Sequence, residues 1–307
     1  MTLAVVFPGQ GSQNKLMLDG FDQSKTFNNI IEEGSDILNY DIASTINDEL
    51  KINNTLYTQP LMLAVSYAIW KTLCENIKLN ISMCAGHSLG EYTALVANGT
   101  INYKDGLLLV KKRAELMSDA MNNIDGAMAA VIGLDGNVVD EICKQRTKEN
   151  QIIEAVNFNC PGQTVIAGHA SAVDKIGPIL KDAGAKIVKK LPVSLAAHTS
   201  LLDPVAEKLK NELSKVQNNS NSFDIIHNYD LSISKKNEEL HNVLSKQVCS
   251  PVRWIETLEM FRSNNIKDII EVGPGNILSG LIKRFDKSIN AYSTKTIEDI
   301  KSVAQAL

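Results

Sequence analysis

The chain has 307 residues, 44% hydrophobic and 21% charged, with 18 Gly and 8 Pro, which is too apolar for a disordered chain and long enough for one large domain or a core domain carrying a smaller inserted one. Its 31 Lys and Arg against 35 Asp and Glu leave a net charge of −4, and with no basic block interleaved with aromatics this argues against nucleic acid as a partner. No apolar run approaches the ~20 residues of a membrane-spanning helix, Met1 to Gly9 lacks the features of a signal peptide, and the five cysteines form no CxxC pair, so a reducing, cytoplasmic setting without membrane contact is expected.

In chain order, Val5–Phe7 reads as a first strand ending in a turn. Pro60–Cys74 reads as a helix with Pro at its permitted first position. Ile81–Ala85 is a strand, Glu91–Ala97 a helix and Tyr103–Met121 a longer helix. This alternation predicts an α/β core with a mostly parallel sheet. From about Asp125 to Pro192 the rhythm changes: strand Gly126–Leu134, helix Val138–Arg146, strand Gln151–Val156, strand Thr164–Gly168, helix Ser171–Ala183, strand Lys186–Val193. That βαββαβ order is the ferredoxin-like pattern. Residues 125–193 are therefore expected to form an inserted subdomain, with 1–124 and 194–307 forming the core. The core resumes with a helix at Leu201–Leu213, strands at Phe223–Ile226 and Ile266–Val272, a Gly273-Pro274-Gly275 turn and another helix.

The sharpest chemical signal is Gly86-His87-Ser88-Leu89-Gly90, placed between a strand and a helix. In that context GxSxG is a nucleophile elbow. The glycines permit a turn in which side chains would collide, and the turn lifts the Ser88 hydroxyl off the sheet. The Leu89 amide then lies at a helix N-terminus, where developing negative charge is favoured.

A serine hydroxyl needs a base, and the histidines are His87, His169, His198, His227 and His241. His87 lies inside the elbow and is expected to pack structurally. His241 falls in a polar helical stretch, and His169 follows a strand of the insertion. His198 follows Val193-Ser194-Leu195-Ala196-Ala197, where the chain re-enters the core. His227 lies near a strand end, and both it and His198 stay open as the base on these grounds.

Arg113 shares a helical face with Leu109, Val110, Leu116, Met117 and Ala120. A guanidinium there needs an anion. Either a structural acid such as Glu91 supplies it, or an acyl substrate that carries its own carboxylate does. Two glycine turns, Pro8-Gly9-Gln10-Gly11-Ser12-Gln13 and Gly273-Pro274-Gly275-Asn276, follow strands and are placed to line one cleft. Neither is a dinucleotide or phosphate fingerprint, and a plain tight turn accounts for each.

Taken together these segments resemble the malonyl-CoA:acyl carrier protein transacylase family over essentially the whole chain. The resemblance runs through Phe7-Pro8-Gly9-Gln10-Gly11-Ser12-Gln13, Thr58-Gln59-Pro60, Gly86-His87-Ser88-Leu89-Gly90-Glu91-Tyr92, Val156-Asn157-Phe158-Asn159, His198 and Glu271-Val272-Gly273-Pro274-Gly275. It implies an α/β-hydrolase-like core with a ferredoxin-like insertion. It also implies Ser88 as the nucleophile that becomes malonylated and His198 as general base and acid. The main-chain carbonyl of Gln247 would orient that imidazole in place of an acid, Arg113 would hold the malonyl carboxylate, and the amides of Gln10 and Leu89 would form the oxyanion hole.

The activity so implied is ping-pong transfer of malonyl from malonyl-CoA to the phosphopantetheine thiol of holo acyl carrier protein. No cofactor is expected, the CoA thioester being a substrate, and the chain is expected to be a monomer. Family members often carry Ser or Phe where Ala197 stands, and the small side chain leaves room for an α-methyl group. Lys189, Lys190, Lys283 and Arg284 are candidates for meeting an acidic carrier protein. The competing readings are a serine thioesterase, which passes the acyl group to water, and a docking module with a dead site.

Overall fold

The computed structural model describes residues 2–193 and 195–307. Ser194, where the core was expected to resume, lies outside the described residues. The chain opens with β1 (Leu3–Phe7) and crosses through α1 (Lys25–Leu38), α2 (Ile42–Asn47), α3 (Glu49–Ile52) and α4 (Thr55–Asn76) to β2 (Ile81–Gly86). Next come α5 (Gly90–Ala97) and α6 (Tyr103–Ala120). Then follow β3 (Gly126–Ile132), α7 (Gly136–Arg146), β4 (Ile153–Cys160), β5 (Gln163–His169), α8 (Ala170–Asp182) and β6 (Ile187–Lys190). The remainder is α9 (Asp203–Leu213), β7 (Asp224–Ile226), α10 (Asn237–Gln247), α11 (Trp254–Ser263), β8 (Asp268–Glu271), α12 (Ile277–Phe285), β9 (Asn290–Ser293) and α13 (Ile297–Ala306).

Two sheets result. One is parallel throughout, in the order β7-β2-β1-β8-β9. Its central strand, Leu-Ala-Val-Val-Phe, is buried along its whole length, as a strand covered by helices on both faces must be. The other sheet is antiparallel, in the order β4-β5-β3-β6. With α7 and α8 as its crossovers it has the expected ferredoxin-like topology. The segment after α10 runs beside β4, where Val252 donates its amide to the Val156 carbonyl and accepts from the Phe158 amide. No described helix is long and apolar enough to cross a membrane.

The parallel register aligns Phe7 with Gly86, so β1 and β2 end side by side. The turns that follow them, and the one that follows β7, gather at one edge of the sheet. Strand order reverses about β1, and this is where open α/β sheets place their ligands.

One expectation fails. Pro60 is not the first residue of its helix but lies inside α4, which starts at Thr55. Asn54 caps that start by accepting the Leu56 amide, and burial of Thr58 through Val65 holds the continuous helix despite the missing N–H at Pro60. The sequence reading also left α1, α2, α3, α11, β9 and α13 unassigned.

Candidate active site

Ser88 sits at φ +54°, a left-handed conformation costly for a non-glycine residue and typical of functional turns. The turn is tight enough that a Cβ on Gly86 would lie 1.9 Å from the Gly90 carbonyl carbon. Asn228, just past β7, spans it from outside. Its Oδ1 accepts the Ser88 amide at 2.8 Å, and its Nδ2 donates to the Gly86 carbonyl at 2.7 Å.

The Ser88 hydroxyl meets His198 Nε2 at 2.7 Å. His198 is itself at φ +66° and is buried. Its Nδ1 faces two main-chain carbonyls, Gln247 at 2.9 Å and Ser250 at 3.1 Å. Carbonyls only accept, so Nδ1 carries the proton and the Nε2 lone pair faces the hydroxyl. Gln247 is the last residue of α10, and carbonyls at a helix C-terminus carry partial negative charge that favours a cation. The His198 amide is tied to the Val248 carbonyl, fixing the ring against this helix end. Burial, and after it the charge of Arg113, push the His198 pKa down to about 3. The resting imidazole is therefore neutral and able to accept the serine proton.

Arg113, on the buried face of α6, donates to Gln59 Oε1 at 2.7 Å and to Gln247 Oε1 at 3.1 Å. Its guanidinium carbon lies 5.4 Å from the Tyr92 ring centre, and its Nε finds no acceptor among the described residues. The Glu91 partner considered from sequence is not in direct contact. Glu91 reaches the guanidinium only through Gln247, whose Nε2 donates to Glu91 Oε2 at 2.8 Å and to the Ser88 carbonyl at 2.8 Å. A buried cation held by neutral amides keeps its charge for an anionic ligand.

Gly9 packs so closely on the elbow that a Cβ there would stand 2.5 Å from the His87 carbonyl oxygen. The same Cβ would stand 3.7 Å from the Leu89 nitrogen, and among the described residues neither the Gln10 amide nor the Leu89 amide has a main-chain acceptor. The Gln10 side chain is tied to Thr55 at 3.1 Å. It forms part of the wall of a cleft of about 710 Å³ that opens between α3, the end of α6 and the two chain crossings into the antiparallel sheet. The second glycine turn does not line this cleft. Gly273 packs on Pro8, while Pro274 and Gly275 border a separate cavity of about 410 Å³. Glu271 of that motif accepts the Leu278 and Ser279 amides at the start of α12, a structural cap.

The other histidines are held elsewhere. His227 Nδ1 lies 2.7 Å from Glu91 Oε1. His87 Nε2 bonds Asn159 Oδ1 at 2.8 Å, with its ring edge-on to Trp254, and His169 Nδ1 accepts the Ile152 amide. The sequence reading did not pick out Asn228, or the side chains of Gln59 and Gln247. A neutral amide carries no chemical signature to find it by.

The family model of the acyl transferase domain matches residues 4–304. The malonyl CoA-acyl carrier protein transacylase of Haemophilus influenzae is 39% identical, with 99% of this chain and 98% of that protein covered. That of Escherichia coli K12 is 37% identical over 99% and 98%. Among solved structures, the malonyl CoA-acyl carrier protein transacylase of Coxiella burnetii superimposes with a TM-score of 0.96 at 35% identity, covering 100% and 98%. A malonyl-transacylase in complex with a type II PKS acyl-carrier protein gives 0.97 at 37% identity, with both chains fully covered. The chain belongs to the malonyl CoA-acyl carrier protein transacylase family of acyltransferases.

Proposed function

We propose that this protein transfers the malonyl group of malonyl-CoA to the phosphopantetheine thiol of holo acyl carrier protein, through a malonyl ester on Ser88, to supply fatty-acid chain elongation. The observation that carries this reading is Arg113: a buried guanidinium whose acceptors among the described residues are two amide oxygens, linked through Gln247 to the backbone of a serine that a neutral histidine already contacts. An acyl group ending in a carboxylate satisfies that cation, and an acetyl group does not.

In the first half-reaction Ser88 Oγ attacks the thioester carbonyl while its proton passes to His198 Nε2. The Gln10 and Leu89 amides meet the oxygen that gains charge. Collapse breaks the C–S bond, and the imidazolium returns its proton to the departing CoA sulfur. In the second, the carrier thiol gives its proton to His198, its sulfur attacks the malonyl-serine carbonyl, and the proton goes back to Ser88 Oγ as the ester opens. The carbonyls of Gln247 and Ser250 hold the ring through both halves. Having no ionisable charge, they stabilise the imidazolium less than a carboxylate would, which leaves a weaker base for activating water.

Intact mass after mixing with malonyl-CoA tests this. A malonyl adduct is expected on the wild type and absent from Ser88→Ala, and holo acyl carrier protein is expected to clear it while gaining the acyl group. CoA release with an unmodified carrier would instead make the protein a thioesterase.

A further inference from the structure

Glu91 is a fully buried carboxylate in the first turn of α5, three residues after the nucleophile. It touches none of the reacting atoms. It accepts from three donors, two on the turn after β7 and one at the end of α10: His227 Nδ1 at 2.7 Å, the Asn228 amide at 3.2 Å and Gln247 Nε2 at 2.8 Å. The His227 bond has a defined direction. Its Nε2 accepts the Lys235 amide at 3.3 Å, so the ring proton sits on Nδ1 and points at the carboxylate.

We propose that Glu91 is a positioning residue for Arg113, acting through the side-chain amide of Gln247. A side-chain amide has two orientations of nearly equal shape, and its surroundings choose between them. Here an acceptor-only carboxylate and the Ser88 carbonyl both face the Nε2 end. Gln247 must present its NH2 group to them, which leaves Oε1 for the guanidinium at 3.1 Å. Turned over, the amide would set oxygen against both acceptors and NH2 against the guanidinium NH2. The carboxylate, together with the Ser88 carbonyl, thus selects the one orientation in which Arg113 has a second acceptor.

The indirect connection matters for chemistry. A direct Glu91–Arg113 fork would neutralise the guanidinium and fill the place of an anionic acyl group. With one amide interposed, the negative charge lies near enough to offset burial of the cation while its outer N–H groups stay available. The Asn228 amide is fastened to the same carboxylate, and the Asn228 side chain fastens Gly86 and Ser88 of the elbow. One buried anion therefore ties the serine turn to the arginine.

This inference rests on the reading of Arg113 as the malonyl clamp, and acylation rates of the full chain with malonyl-CoA and with acetyl-CoA separate the two. Arg113→Ala sets the scale by lowering the malonyl-to-acetyl ratio of kcat/KM. Glu91→Gln replaces the acceptor-only group by an amide that presents either end, which loosens the hold on the Gln247 amide, and is expected to lower that ratio about tenfold or more, the worth of a hydrogen bond to a charged group. A merely structural role would depress both substrates in proportion and leave the ratio where it was. Should Glu91→Gln not accumulate as folded protein, Gln247→Met makes the test with Glu91 intact, because it removes the Oε1 acceptor and keeps the main-chain carbonyl behind His198. A fall in the ratio supports the inference. An unchanged ratio in Glu91→Gln, or in Gln247→Met where that variant stands in, overturns it while Arg113→Ala still lowers the ratio. An unchanged ratio in Arg113→Ala overturns the clamp reading itself.

Discussion

Two buried histidines present the same ring nitrogen to different acceptors, and the contrast bears on how this site works. His227 directs Nδ1–H to the Glu91 carboxylate, the pairing by which serine hydrolases orient a base. Its other nitrogen is taken by a backbone amide, so it has no lone pair to offer. His198 directs Nδ1–H to the carbonyls of Gln247 and Ser250 and keeps Nε2 on the Ser88 hydroxyl. Orientation and basicity are therefore separable. Any fixed acceptor sets the tautomer, while only an anion would strongly stabilise the imidazolium. The carboxylate–histidine pair is present in the molecule but holds the scaffold, and the reacting histidine is held by neutral oxygens and a helix end.

The largest expected effect falls on the His198 side. His198→Ala is expected to slow acylation of Ser88 by about 10²–10⁴-fold, the usual contribution of a general base, with the fold retained by circular dichroism. His227→Phe should do the reverse. It leaves Glu91 short of one donor, so unfolding in urea is expected to show a loss of about 1–3 kcal/mol, while the acid limb of the acylation rate stays where it was. A shift of that limb in His227→Phe would erase the distinction between the two histidines.

Next in size is Arg113→Ala, expected to lower kcat/KM for malonyl-CoA by about 10–100-fold through loss of a charge-assisted contact. Removing the cation also removes a repulsion that holds the His198 pKa down, so with acetyl-CoA the acid limb of this variant is expected to move to higher pH. Stability carries the same sign. Below pH 6.5 the unfolded chain takes up a proton at His198 that the folded chain refuses until about 3, so acid withdraws stability across that window. The smallest effect concerns the acyl group. Ala197→Phe is expected to lower the rate with methylmalonyl-CoA relative to malonyl-CoA, measured as the ratio of adducts by intact mass, and an unchanged ratio would place the α-methyl group away from residue 197.

Legibility in the sequence followed chemical distinctiveness. Ser88 in its glycine frame and Arg113 on an apolar helical face were readable because a strained turn and a buried charge both demand explanation. The ferredoxin-like insertion was readable from the order of its strands and helices. The choice between His198 and His227 was not readable from the residues alone, since one lies where the chain re-enters the core, the other near a strand end, and only three-dimensional packing shows which nitrogen is open. The resemblance supplied His198 and the main-chain role of Gln247, but no signal marked Asn228 or the Gln59 side chain. The helices α1, α2 and α3 were missed for a different reason. Their starts are marked by Ser24, Asp41 and Asp48, and that of α4 by Asn54, each accepting an amide of the first turn. Pro60 drew attention to the wrong residue as a helix start.

The most direct measurement is the pH dependence of single-turnover malonylation of Ser88 from pH 8 down to pH 4.5, followed by quenched intact mass. A neutral, carbonyl-held His198 with its pKa pushed to about 3 gives a rate that stays level through pH 6.5 and on toward pH 5. A rate that falls tenfold per pH unit below a midpoint near 6.5 would show an ordinary, solvent-like histidine and contradict the account of His198 as a base held neutral by its burial.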